Sequence, residues 1–458
     1  LKDITGRKIS YNYDIIGMLK EVWDGNNKAA SYTYNPDSTI ATIKYSNGIN
    51  IQYNHDVDKN ISGILAKTKE GKELLNHRYF YDNNGNQVRK DESGNITSYA
   101  YDSLNRLEKV AYPGGAIEAF GYDKAGNRVK RTLDSPASSQ AMSPQITNYT
   151  YDSRNRLTSL AVGEDLTNFK YDNQGNLRSE TTKQDTTKYA YDCFNRTTSV
   201  QKQDGSYIKN FYNSEGLRSE IDENGVVSKF VFDRGSAVTE LDGEDRLKAA
   251  SIRGIELVSQ VDSKDNSYYY LNNYHGDVVG LADIAGNLVN SYSYDAFGNT
   301  LEANEQVHNG FRYSGEQYDP ITNQYYLRAR FYNPVVGRFT QEDVYRGDGL
   351  NLYAYVGSNP VNYFDPTGYA TQCEKKIYNR EMTKEEWQEY MRLQRTKVRD
   401  GKMSQAKLDE LRENIANGFK LGSKARADQQ RRIFKDYTGY DAFGEVHHGL
   451  PEEHHEWF

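Results

Sequence analysis

Histidine is scarce in this chain, eight residues of 458, yet four of the eight (His447, His448, His454 and His455) fall within positions 446–458. A neutral imidazole can take a proton from water or hold a divalent cation through a ring nitrogen, so a dense cluster points to general-base or metal chemistry. No His-Glu-x-x-His pairing occurs, and a zinc peptidase is not indicated. Other metal-dependent or nucleophilic chemistry, or histidines that only decorate a surface, remain open at this level. Cys193 and Cys373 are too few for a disulfide framework or a cysteine metal cluster, which leaves the redox compartment open.

The elements that must carry such chemistry are announced by tyrosine. There are 39 Tyr and 37 Gly, with 36% hydrophobic residues, a balance that suits sheets whose rings stack across strands better than a helix-packed core. A net charge of -7 with 26% charged residues fits a soluble protein. No apolar run approaches the roughly 18 to 20 residues of a membrane span. The chain starts at Leu1 without a Met or a basic, apolar leader, and is expected to be a piece of a longer parent.

Self-similarity appears at a period of about 20 residues. An aromatic followed by Asp or Asn opens a phrase at Tyr13, Tyr81, Tyr101, Tyr122, Tyr151, Tyr171, Tyr191, Tyr212 and Phe232, with weaker copies at Tyr34 and Tyr53 and a late one at Tyr294. Two variable residues, a Gly or Asn, an Asn or Arg and an apolar residue complete it, as in 81–88. That reads as strand, turn, strand. Gly85, Asn105, Gly126, Asn155, Gly175, Asn195 and Gly216 supply the positive φ of a tight turn, and the Asp carboxylate can cap the turn backbone. Ser98-Tyr99-Ala100-Tyr101 and similar stretches alternate as strands do. A hairpin of this kind cannot bury its own face, so neighbours must stack.

The Tyr-Asp phrase resembles the YD repeat of Rhs proteins, WapA-type wall-associated toxins, the C subunits of insecticidal toxin complexes and animal teneurins. The resemblance covers residues 1 to about 369. Residues 268–369 are denser, with Tyr268-Tyr269-Tyr270, His275-Gly276-Asp277, Arg312-Tyr313-Ser314-Gly315, Tyr325-Tyr326-Leu327-Arg328-Ala329-Arg330-Phe331-Tyr332, Gly337-Arg338-Phe339 and Asp365-Pro366-Thr367-Gly368. This run resembles the Rhs-associated core, closer to Gram-positive WapA-like proteins because Glu342-Asp343-Val344 stands where many relatives have Asp-Pro. The resemblance implies a mainly β fold: a YD-repeat hairpin sheet spiralling into a hollow shell (1–267), a core with a self-cleavage element (268–369), and a small, mostly α-helical C-terminal effector (370–458).

It also implies chemistry for the core. In the family the Asp-Pro-x-Gly-x element is the point at which the effector is cut off by aspartyl-protease-like self-cleavage. Carried over, Asp365 belongs to that element, Asp343 is the upstream carboxylate with Asp348 a nearby competitor, and the scissile bond joins Tyr369 to Ala370. Two close carboxylates cannot both ionise cheaply, so one is held as acid while the other activates water. Arg338 is the candidate supporting cation. The plainer reading is that both aspartates cap turns while Arg338 pairs with one of them.

After Tyr369 the composition changes. Thr383-Lys384-Glu385-Glu386 reads as a capping box opening a helix, and Leu408, Leu411, Ile415 and Phe419 share a helical face. Residues 370–458 hold 17 Lys and Arg against 16 Asp and Glu, so no basic surface announces nucleic acid. The His447-His448 pair, followed by Gly449, Leu450 and Pro451, resembles the opening of the ββα-metal motif of HNH-type nuclease toxins. That resemblance makes His448 the general base and His447 a ligand to a divalent metal, Mg or Zn, with the effector incomplete at Phe458. The Rhs and WapA-like resemblance further implies secretion or cell-wall association, a cognate immunity protein, and delivery machinery or a target-cell surface as partner, the HNH resemblance implies a nucleic-acid substrate, and the lack of a long apolar run implies no transmembrane segment in this chain. The competing classes are a teneurin-like adhesion shell and an insecticidal toxin-complex component.

Overall fold

The computed structural model describes residues 6–135, 143–345 and 349–369, and the backbone of Gln372–Cys373. The chain divides into two units, 1–10 with 22–376 and 11–21 with 377–458, and everything described beyond residue 21 belongs to the first. The expected effector helices, Ala370, His447, His448 and Asp348 lie outside the described residues.

From Asn27–Tyr34 to Thr300–Glu305 the strands pair antiparallel with their sequence neighbours in one continuous sheet, which passes residues 267 and 268 without interruption. Each phrase is one five-residue turn. At residues 82–86, the Asp82 N–H donates to the Asn86 carbonyl (2.9 Å) and the Gly85 N–H to the Asp82 carbonyl (3.0 Å). One Asp82 carboxylate oxygen accepts the N–H groups of Asn84 and Asn86, both at 2.9 Å, and the other accepts the Asn86 side chain at 3.1 Å. Gly85 has φ 80°, and Asn105, Asn155 and Asn195 take the same role with φ of 58°, 60° and 62°. From Tyr81 to Tyr212 the register slips one residue at the phrase tyrosine, as between Phe80 and Tyr81, which is the bulge expected after a type I turn closed by a left-handed residue.

The capping carboxylate is therefore half of the device, and the Asn or Arg four residues on is the other half. Where that residue is Arg, as in Asp102–Arg106, Asp152–Arg156 and Asp192–Arg196, burial alone would raise the Asp carboxyl, but the arginine and backbone donors hold it below its usual range. The same turn forms at Asp242, Asp262 and Asp283, which follow Leu241, Val261 and Ala282, so the aromatic is not what makes the turn. Two assignments shift for this reason. The copy placed at Tyr53 is built on Asp56, two residues beyond the Asn54 that would have headed it, and Phe232-Asp233 opens a tight two-residue hairpin over Arg234 and Gly235.

The phrase tyrosine has a different task. Its hydroxyl donates to the carbonyl of the first residue after the preceding turn: Tyr101 to Gln87 (2.7 Å), Tyr122 to Leu107 (2.7 Å), Tyr151 to Arg128 (2.8 Å), Tyr191 to Leu177 (2.9 Å) and Tyr212 to Thr197 (2.8 Å). Phenylalanine could pack there but could not satisfy that carbonyl. Ring-on-ring stacking, expected throughout the repeats, is instead concentrated in the core segment, where Tyr332 and Tyr355 lie 3.8 Å apart. In the repeats the rings more often receive an arginine, as Tyr122 does from Arg106 and Tyr212 from Arg196, each at 4.7 Å.

The sheet winds back on itself within this unit. The Tyr45 hydroxyl donates to the carbonyl of Tyr270, 225 residues later, and the Asn47 amide to that of Asp283. One buried cluster joins Tyr149, Leu157, Phe169, Leu177, Tyr189, Val200, Ile208 and Ile221 of the sheet to Val336 of the core segment. Among the described residues the only helical pieces are short 3-10 turns at Pro113–Gly115, Tyr313–Gly315 and Val356–Ser358.

Candidate functional site

After Glu305 the chain leaves the large sheet and forms a small one from Gln317–Asp319, Gln324–Leu327, Arg330–Asn333 and Arg338–Phe339. The stretch that follows is fastened to the hairpin turns one after another. The Asn359 amide reaches the Asn105 carbonyl (2.7 Å), the Asn351 amide the Asn127 side chain (2.7 Å), and the Tyr353 hydroxyl the Gly175 carbonyl (2.7 Å). These fastenings hold the segment that runs from Asp343 to Asp365, while Arg330 is held by its own strand pairings.

The two sequence-nominated carboxylates come together, and a residue missed in the sequence joins them. Arg330 donates to an oxygen of Asp343 at 2.7 Å and lies 3.7 Å from one of Asp365. All three are buried, with residue exposures of 4%, 6% and 2%. Arg330 also donates to the Leu352 carbonyl (3.1 Å) and to the Gly368 carbonyl, while its guanidinium lies 3.6 Å from the Phe339 ring centroid. A positive charge so placed offsets the repulsion between two buried carboxylates that would otherwise be costly.

Each aspartate divides its oxygens between two tasks. One Asp365 oxygen accepts the N–H groups of Thr367 (3.0 Å) and Gly368 (2.8 Å), and one Asp343 oxygen accepts the Tyr345 N–H (2.7 Å); the other oxygens face Arg330. Turn capping and charge clustering thus coexist. Pro366 keeps Asp365 out of helical geometry, which lets its carboxylate fold back on the turn. Gly368, at φ 75°, packs so closely that a Cβ would stand 2.5 Å from the Leu327 carbonyl oxygen and 2.9 Å from the Arg330 nitrogen. Tyr369 emerges partly exposed, its N–H bonded to the Thr367 hydroxyl at 3.2 Å.

Arg338 occupies a different place from the supporting position expected of it. It donates to the Asn155 carbonyl at 2.5 Å and stacks over Tyr151 (4.8 Å) and Tyr353 (5.1 Å). Its planar charge is used by a turn and two rings, and Arg330 supplies the cation to the carboxylates. Arg330 carried a signal in sequence, since it sits in the aromatic run 325–332, but several arginines share that neighbourhood and only the tertiary fold brings this one to Asp343 and Asp365.

Residues 76–361, more than half of the chain, match the teneurin YD-shell family. The chain belongs to that family. Among curated proteins, this YD-shell chain is 30% identical over 374 residues to a tRNA3(Ser)-specific nuclease, WapA, of Bacillus spizizenii; the match covers 78% of the chain and 15% of the relative. It is 28% identical over 387 residues to double-stranded DNA deaminase toxin A of Burkholderia cenocepacia, covering 79% of the chain and 22% of the relative. Among solved structures it resembles the Photorhabdus luminescens Tc holotoxin pore with a TM-score of 0.65 at 20% identity, over 81% of the chain and 20% of that one. The chain therefore spans less than a quarter of the length of each of these relatives. Among the described residues no group of three His, Cys, Asp or Glu could hold a metal ion, and no helix is long and apolar enough to cross a membrane.

Proposed function

We propose that this YD-shell chain is part of a secreted or cell-wall-associated toxin that encloses a C-terminal effector and frees it by cutting its own backbone between Tyr369 and Ala370. The observation that carries the reading is the buried Asp343, Arg330 and Asp365 cluster, tied through Arg330 to the carbonyl of Gly368, one residue before the cut. Water adds to the Tyr369 carbonyl, with one carboxylate taking its proton. The C–N bond to Ala370 breaks as a proton passes to the departing amine. Arg330 holds the two acids and the neighbouring carbonyl in register.

The effector is read as an HNH-like metal-dependent nuclease in which His448 serves as base and His447 as ligand to Mg or Zn. A relative named as a tRNA nuclease supports a nucleic-acid target, and one named as a DNA deaminase toxin suits a shell that travels with different cargoes. A cognate immunity protein and a delivery partner belong to this reading.

Intact-mass measurement of the purified chain beside Asp343→Asn and Asp365→Asn variants tests the cut. A fragment beginning at Ala370 should arise from the wild type and from neither variant; equal release from all three refutes the aspartate assignment. Incubating the released fragment with tRNA and with DNA, with and without Mg²⁺, tests the effector. Activity that survives chelation and His448→Ala would refute the metal-dependent mechanism based on His448, and no loss of either substrate would refute the nuclease assignment.

A further inference from the structure

One turn departs from the repeat in a way its own fold does not require. In the turn 82–86 the carboxylate comes first and the amide fifth, and the carboxylate is consumed by the turn. In the turn 273–277 the two are exchanged. The Asn273 N–H still donates to the Asp277 carbonyl (3.1 Å) and the Gly276 N–H to the Asn273 carbonyl (3.0 Å), but the Asn273 amide now does the capping. Its oxygen accepts the Asp277 N–H at 3.0 Å and its nitrogen donates to one Asp277 oxygen at 2.8 Å. The exchange frees the other Asp277 oxygen and points it inward.

That oxygen accepts the Nδ1 of His275 at 2.8 Å and the Ser314 N–H at 2.8 Å. The far nitrogen of the same ring, Nε2, lies 3.0 Å from the carbonyl oxygen of Tyr363. His275 is buried, its ring 5.0 Å from that of Tyr313 and edge-on to Phe364 at 6.2 Å. Burial alone would raise the Asp277 carboxyl, but the His275 charge and hydrogen bond, with the Ser314 N–H, hold it below its usual range. The Tyr363–Phe364 strand leads directly into Asp365.

We infer that His275 and Asp277 form a latch that grips the Tyr363 carbonyl and so positions Asp365 for self-cleavage. The inference rests on the self-cleavage reading for its consequence, and on the exchanged turn for its geometry. Both are positioning residues, bonded to the strand before Asp365 and to the Ser314 N–H. They act by orienting the strand that delivers the second carboxylate, where a misplacement of about 1 Å can slow a reaction on the order of 10²-fold.

The test restores the ordinary turn. Asn273→Asp combined with Asp277→Asn recreates the pattern of 82–86, preserving the fold while removing the carboxylate from His275. Release of the fragment beginning at Ala370 should slow about 10²-fold, and the Thr367 and Gly368 amides, measured by hydrogen exchange in an Asp365→Asn background, should exchange faster. Where the double variant fails to fold, His275→Leu and His275→Gln carry the test. Leu fills the space without a donor and should be slow; Gln restores a donor to Tyr363 and should recover part of the rate. Cleavage of the double variant, or of His275→Leu, at the wild-type rate overturns the positioning role. A wild type that never cleaves, together with faster exchange in the double variant, overturns the self-cleavage reading and leaves the latch standing.

Discussion

Replacing Asp319 by Asn should unfasten the core segment from the sheet more than any surface change can. Arg218 lies on the strand Arg218–Glu223 and donates through one nitrogen to both Asp319 oxygens, at 2.9 and 2.7 Å. Its guanidinium stacks over Tyr326 at 4.5 Å, and the two side chains are 1% and 4% exposed. Removing one member of such a pair leaves a desolvated charge and costs about 3–5 kcal/mol, whereas replacing both by apolar side chains of similar volume is often close to neutral. With an m value near the upper end of roughly 1–3 kcal/mol/M, the urea midpoint should fall by about 1 M or more. Urea unfolding followed by near-ultraviolet dichroism, dominated here by tyrosine, is the assay. Arg218→Met with Asp319→Leu should recover about 2 kcal/mol or more of the loss. A second readout is Glu223, whose carboxyl is raised by burial and then by the Asp319 charge, and which should titrate lower in Asp319→Asn. A loss below about 1 kcal/mol, or single losses that simply add in the double variant, would refute the reasoning.

Asp295 is pushed up to about 6 by burial and then by Glu118. A carboxyl raised in the folded state favours folding below its unfolded value and loses that contribution as pH rises through about 6, so wild-type stability minus that of Asp295→Asn should fall between about pH 4 and 6; a flat difference contradicts the assignment. Tyr191→Phe removes the hydroxyl from the Leu177 carbonyl and should cost about 1–2 kcal/mol in thermal or urea unfolding, with no measurable change marking the ladder as dispensable there. Gly368→Ala must move a Cβ away from the Leu327 carbonyl at a left-handed φ, so release of the Ala370 fragment should slow on the order of tenfold or more. Wild-type release by that variant would show that the turn yields without disturbing the acids.

Asp, Gly and Asn at fixed offsets dictate the hairpin turns by themselves, because those contacts lie within five residues and depend on backbone geometry that few side chains satisfy. The same locality explains why Asp365 was legible, since its turn needs only Pro366, Thr367 and Gly368. Tertiary structure alone decided which cation meets the two carboxylates. Arg330 and Arg338 stand on adjacent strands of one small sheet, and their fates diverge through partners brought from far away in the chain, Asp343 and Asp365 for one, Asn155 and Tyr151 for the other. The tyrosine hydroxyl ladder was hidden because a hydrogen bond between neighbouring hairpins leaves no periodic trace beyond the residue type itself, and the role of His275 and Asp277 because Tyr363 and Ser314 reach them from far along the chain. Composition and spacing determined that this chain is a stack of tyrosine-rich hairpins. Only the winding of the sheet, which carries distant segments into contact, determined where two buried acids share one charge.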